Sequence, residues 1–93
     1  MNNDIMTDNL PPQNIEAEQA VLGAIFLNTD ALADAMEYVE ADDFYRRAHQ
    51  ILFQAMVNLN NDGEAIDVLT VQNYLTTNNQ LDDVGGVAYI AEL

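Results

Sequence analysis

Pro11 to Leu27 dictates how this chain must begin to fold. Two prolines hold the approach extended, and the Asn14 side chain that follows can accept a hydrogen bond from the free amides of a first helical turn. Glu16 and Glu18 fall where the helix dipole favours negative charge. These signals predict a helix starting at Ile15. After Gln19 the residues are apolar on almost every face through Leu27, which predicts a helix wrapped by others and serving as the central strut of the core.

Upstream, Met1 to Gln13 is polar, holds both prolines and has no sustained period, so it reads as a flexible arm before a globular unit of residues 14–93. Downstream, Asn28-Thr29-Asp30 offers a turn and a cap, and Leu32, Ala35, Met36 and Val39 recur at helical spacing, giving a short second helix ending near Val39. Asp42 and Asp43 precede the longest helix, from about Tyr45 to Asn60, where Ala48, Ile51, Leu52, Ala55, Met56 and Leu59 form one apolar stripe. Gly63 is suited to the left-handed conformation that closes it. Asp67 can cap a fourth helix, Val68 to Thr77, with Val68, Val71, Tyr74 and Leu75 inward. Gly85-Gly86 leads into a last helical stretch, Val87 to Leu93, with Ile90 and Leu93 packed inward and no cap, an ending expected of a piece of a longer protein. No strand alternation or repeat appears. The expected fold is all-α, a compact bundle of about five to six short helices.

Charge excludes some functions. Sixteen carboxylates face Arg46 and Arg47 alone, with no lysine, for a net charge of -14. Phosphate recognition needs several cations to displace counterions, so this unit is not expected to grip nucleic acid by itself. The acidity serves as a solvated surface or as a docking face for a basic partner. At 93 residues the chain is one small domain able to bury about 60% of its unfolded surface. It has no cysteine, which fits a reducing cytosol, and no apolar run long enough to span a membrane or target export, so a soluble cytoplasmic protein is expected.

No catalytic or metal constellation is legible. A P-loop requires a lysine, and there is none. Asn58 to Leu69 places Asn60, Asp62 and Gly63 at calcium-loop positions, but Asn58 and Leu69 stand where the first ligand and the bidentate carboxylate belong, so a helix-ending turn is the reading. His49 has no cysteine partner for zinc. Asp42, Asp43, Asp82 and Asp83 read as caps and turn formers. Phe44, Tyr45 and Phe53 read as core anchors, since a base-stacking platform comes with a basic groove that is missing. Arg46, Arg47 and His49 form the one positive cluster in the sequence, a place to look for a carboxylate or phosphate contact; the arginines either pair internally with Asp42, Asp43 or Glu40, or contact a partner.

Four segments resemble, in order and at similar spacing, the amino-terminal domain of DnaB-type replicative DNA helicases: Pro11 to Ile25, Asp42 to Gln50, Gly63 to Val71 and Leu81 to Leu93. The wording from Pro11 to Leu27 is most similar to Gram-positive members. The resemblance implies the globular head of a collar that supports hexamer assembly and docks primase. In the family a helical hairpin and a RecA-like ATPase follow. The full-length protein is thereby expected to be an ATP- and Mg2+-dependent helicase that engages a loader and single-stranded DNA through its other domains, while this fragment is no enzyme and holds no cofactor. Glu16 and Tyr89 lie in the two segments that match most closely. They read structurally as a dipole-friendly glutamate and a packed tyrosine, and the resemblance makes them, with Arg46 and Arg47, the candidate protein-interaction residues. A free-standing acidic helical adaptor that mimics this domain is the other reading. The isolated head is expected to be a monomer or weak dimer.

Overall fold

The computed structural model describes residues 14–93 and is all-helical over that span. Five α-helices, α1 (Ile15–Leu27), α2 (Asp30–Met36), α3 (Arg47–Asn61), α4 (Val68–Thr77) and α5 (Gly86–Glu92), are interrupted by single 3-10 turns at Ala41–Asp43 and Asp82–Val84. Helix α3 is the element the others surround, packing against α1, α4 and both 3-10 turns. It owes that place to its stripe: Ile51, Leu52, Phe53, Ala55, Met56 and Leu59 are all buried, and Leu52 and Met56 are fully enclosed. Phe44 seals one end, its ring 5.1 Å from that of Phe53. None of the helices in the described residues is long and apolar enough to cross a membrane.

Local sequence fixes the helix ends. The Asn14 side chain accepts from the Ala17 amide at 2.9 Å, as expected of an N-cap. Asp67 and Thr70 form a reciprocal box at the start of α4, with Asp67 Oδ1 accepting from the Thr70 amide at 2.8 Å and Thr70 Oγ1 from the Asp67 amide at 2.9 Å. An Asp67→Ala substitution is expected to lower stability by about 1 kcal/mol, seen as a lower urea midpoint with an unchanged slope. At the other end of α3, Gly63 at φ +74° lets the Glu64 amide reach back to the Leu59 carbonyl at 2.9 Å, the six-to-one bond of a Schellman closure. Asn79 does the same after α4 at φ +58°, with the Gln80 amide bonded to the Leu75 carbonyl at 2.8 Å.

Several expectations are corrected. Helix α1 is not a wrapped strut: only Leu22 and Ile25 are buried, Leu27 is 91% exposed and Val21 lies at the surface. The apolar run misled because the helix packs by one side onto α3 and α2 and leaves the other open. Helix α2 stops at Met36, because the chain turns and straightens at Glu40, whose side chain and that of Asp43 cap each other's backbone amides across the following 3-10 turn. Helix α3 starts at Arg47, since Phe44 and Arg46 are both extended. That extension sends neighbouring side chains to opposite sides, so Phe44 enters the core while Tyr45 is 60% exposed and is not a core anchor. Helix α5 begins one residue early, at Gly86. The arm assigned to residues 1–13 lies outside the described residues.

Candidate functional site

A groove of about 640 Å3 runs between α1 and α5. Glu16 and Gln19 stand on one side, Tyr89 and Glu92 on the other, and Ala20 and Gly23 form part of its lining. The two helices approach closely at Gly23, where a Cβ atom would sit 3.1 Å from the carbonyl carbon of Leu93. A side chain there would require Leu93, just past α5, to shift by a few tenths of an ångström.

At one wall of this groove lies a polar junction that joins three helices. His49, on α3, is completely buried, the one buried polar side chain among the described residues. Its Nδ1 is 2.7 Å from Glu18 Oε1 on α1, and its Nε2 is 2.7 Å from the Tyr89 hydroxyl on α5. A carboxylate can only accept, so Nδ1 carries a hydrogen, and in the neutral ring Nε2 then accepts from Tyr89. The tyrosine oxygen keeps its lone pairs for Gln19 Nε2 at 3.0 Å and Arg46 Nη1 at 3.5 Å. The imidazole and phenol rings lie nearly parallel, with centroids 5.9 Å apart and planes 16° apart.

Glu18 is held by more than the histidine. Its Oε2 accepts from the Tyr45 amide at 2.6 Å and its Oε1 from the Arg46 amide at 3.4 Å, so a side chain of α1 satisfies donors just before α3. Partial burial pushes its pKa up, but the Tyr45 amide, the His49 ring and the Arg46 amide together outweigh that and hold it below the usual carboxylate range.

The candidate residues from the sequence separate as follows. Glu16 and Tyr89 face the same groove although they lie on the first and last helices. Arg46 reaches the Tyr89 hydroxyl from the side. Arg47 is exposed at the first position of α3, away from these contacts. Neither arginine pairs with Asp42, Asp43 or Glu40; the carboxylate contact to a basic side chain found among the described residues joins Glu18 to the His49 ring. Asp43 and Glu40 instead cap each other's backbone amides. Sequence reading grouped His49 with the two arginines as a positive cluster but did not foresee its burial, and it missed the roles of Glu18 and Gln19. The signal for His49 was present: it shares the i, i+3, i+4, i+7 face with Leu52, Phe53 and Met56, so it had to be buried and hydrogen-bonded. Among the described residues no cluster of His, Asp or Glu could hold a metal ion, and the whole chain lacks lysine, so the donor set does not fit a nucleotide-magnesium site.

Comparison with known proteins places the fold in a family. Residues 10–93 match the family model described as the DnaB-like helicase N terminal domain. The chain is 50% identical over 90 residues to the replicative DNA helicase DnaC of Bacillus subtilis (strain 168) and 48% identical over 90 residues to the replicative DNA helicase DnaB of Geobacillus stearothermophilus, covering 97% of this chain in each case. It spans 20% of the length of either relative. The crystal structure of the N-terminal domain of DnaB helicase from Mycobacterium tuberculosis superposes with a TM-score of 0.85 at 41% identity, covering 89% of this chain and 58% of that one. With its fold and nearly its whole length matched, the chain belongs to the DnaB-like helicase N-terminal domain family.

Proposed function

We propose that this domain is the assembly and primase-docking head of a cytoplasmic, hexameric replicative DNA helicase. ATP- and Mg2+-driven unwinding, single-stranded DNA and the helicase loader are assigned to the rest of that protein. Three facts support the division. The relatives that match across nearly all of this chain are replicative helicases, which favours the reading over a free-standing adaptor. A net charge of -14 repels DNA from the head itself. No lysine is available for phosphate chemistry.

The observation that carries the docking role is the α1–α5 groove. Glu16 offers an exposed carboxylate on one side, and Tyr89 presents a ring whose hydroxyl is fixed by His49, Gln19 and Arg46 on the other. An anchor held in one rotamer loses little entropy on binding, and tyrosine is a favoured residue at interface hot spots.

Calorimetric titration with the helicase-binding domain of a cognate primase tests this. The chain is expected to bind, with Glu16→Ala and Tyr89→Ala each weakening the affinity roughly tenfold, about 1.4 kcal/mol, and far-ultraviolet circular dichroism unchanged. Binding only by a longer chain that includes the helical hairpin would leave the head a scaffold and withdraw both residues.

A further inference from the structure

A second surface, formed where α1 meets the end of α2 and the following 3-10 turn, has a different character from the α1–α5 groove. One pit of about 150 Å3 is walled mainly by Ala17, Val21, Val39 and Phe44, with Glu18 and Asp43 at its edge. Such a volume suits a single phenyl- or isobutyl-sized group. A second pit of about 250 Å3 lies between Met36, Ala41, Phe53 and Val57, with the polar side chains of Glu40 and Gln54 at its edge. Val39 lines both, so the two are neighbours. Around them, Met36 is 41% exposed and Tyr38 is 83% exposed. An apolar pit next to a second one rimmed by an exposed methionine is what a partner's anchors require.

The surrounding charge selects the partner. Glu37, Glu40, Asp42 and Asp43 are all exposed, and no cation occurs between Asp30 and Tyr45. A second copy of the chain would set this carboxylate rim against its own, at a cost, whereas a basic segment would be drawn to it. We infer that the two pits flanking Val39 dock a basic amphipathic helix of a partner protein. Its apolar side chains enter the pits and its lysines or arginines lie over Glu37, Glu40 and Asp42. This is the helix-in-groove mode, with anchors from successive turns filling successive pits. The inference stands apart from whatever occupies the α1–α5 groove.

The test is a titration of the isotope-labelled chain, followed by amide resonances, with a synthetic helical peptide bearing leucines at i, i+3, i+4 and i+7 and lysines elsewhere. A shuffled peptide of identical composition, lacking the apolar stripe, is the control. The expected shifts cluster at Val21, Val57 and the segment from Met36 to Phe44. Val39→Ser and, at the more exposed rim, Met36→Ser each weaken binding roughly tenfold, the shuffled peptide binds correspondingly less, and Glu16→Ala has no effect. Shifts spread over all the carboxylates, equal binding of both peptides, or indifference to both serine variants would reduce the attraction to net charge and overturn the inference. So would a dimer in sedimentation equilibrium that the Met36→Ser variant dissociates, because the pits would then serve a second copy.

Discussion

Phe53→Ala is expected to lower stability by about 3–5 kcal/mol, enough to leave a large share of the domain unfolded at physiological temperature. Phe53 is 1% exposed, sits in the middle of the helix that the rest of the fold surrounds, and packs its ring on Phe44. Truncation removes the transfer free energy of the ring and leaves a cavity that Phe44 cannot fill without leaving the end of the core. The total available is small. At roughly 0.05–0.15 kcal/mol per residue, the 80 residues from 14 to 93 give about 4–12 kcal/mol. At about 4–8 °C per kcal/mol for a domain of this size, the melting temperature should fall by tens of degrees. Thermal and urea unfolding monitored by circular dichroism give the answer, and a loss below about 1.5 kcal/mol, the range of volume-conserving swaps, would show that α3 is not the centre of the core.

That α3 is central illustrates how far the sequence could be read. The bounds of α1 and α4 follow the sequence reading because their starts are set by side chains three residues or fewer from the amides they satisfy, Asn14 for one and Asp67 for the other. Local chemistry of that kind is visible in a linear string. The rank of the helices was not. Helix α1 carries the denser apolar run and was expected at the centre, yet its outer side stays open, and the clean stripe on α3 proved the better guide to burial. Runs of small and branched apolar residues do not say how many neighbours surround a helix.

The polar junction was harder to foresee, since its bonds join residues 31 and 40 positions apart. Glu18 was legible as a dipole-friendly first-turn residue, and nothing local announced that it would accept from amides beyond α2. Glu16 and Tyr89 emerged as candidates only through family resemblance, although the fold brings them to one groove. Tyr45, read as a core anchor, is exposed because Glu18 holds its amide in the extended entrance to α3, with Phe44 turned inward.

His49→Leu should cost about 2–4 kcal/mol, although leucine fills the site with carbon. The variant deprives the Glu18 carboxylate of a charge-assisted bond and the Tyr89 hydroxyl of its buried partner, leaving Gln19 and Arg46 to hold the tyrosine. Its signature is in the pH dependence as well as the midpoint. Glu18 is depressed below its ordinary value of 4.5 in the folded state, so its contribution is fully present above that value and is lost as pH falls through the lower folded one. The parent chain should therefore lose stability over that acid window. Glu18→Gln should flatten this part of the profile, and His49→Leu should flatten it in part, because the Tyr45 and Arg46 amides remain. Carboxyl carbon resonances supply the direct check: Glu18 should titrate closer to its ordinary value in the leucine variant. An unchanged Glu18 titration together with an unchanged melting temperature would mean that His49 does not tie α1 to α5. The groove that Tyr89 and Glu16 share would then be held open by apolar packing alone, and a primase-binding defect in Tyr89→Ala could no longer be assigned to a pre-set hydroxyl.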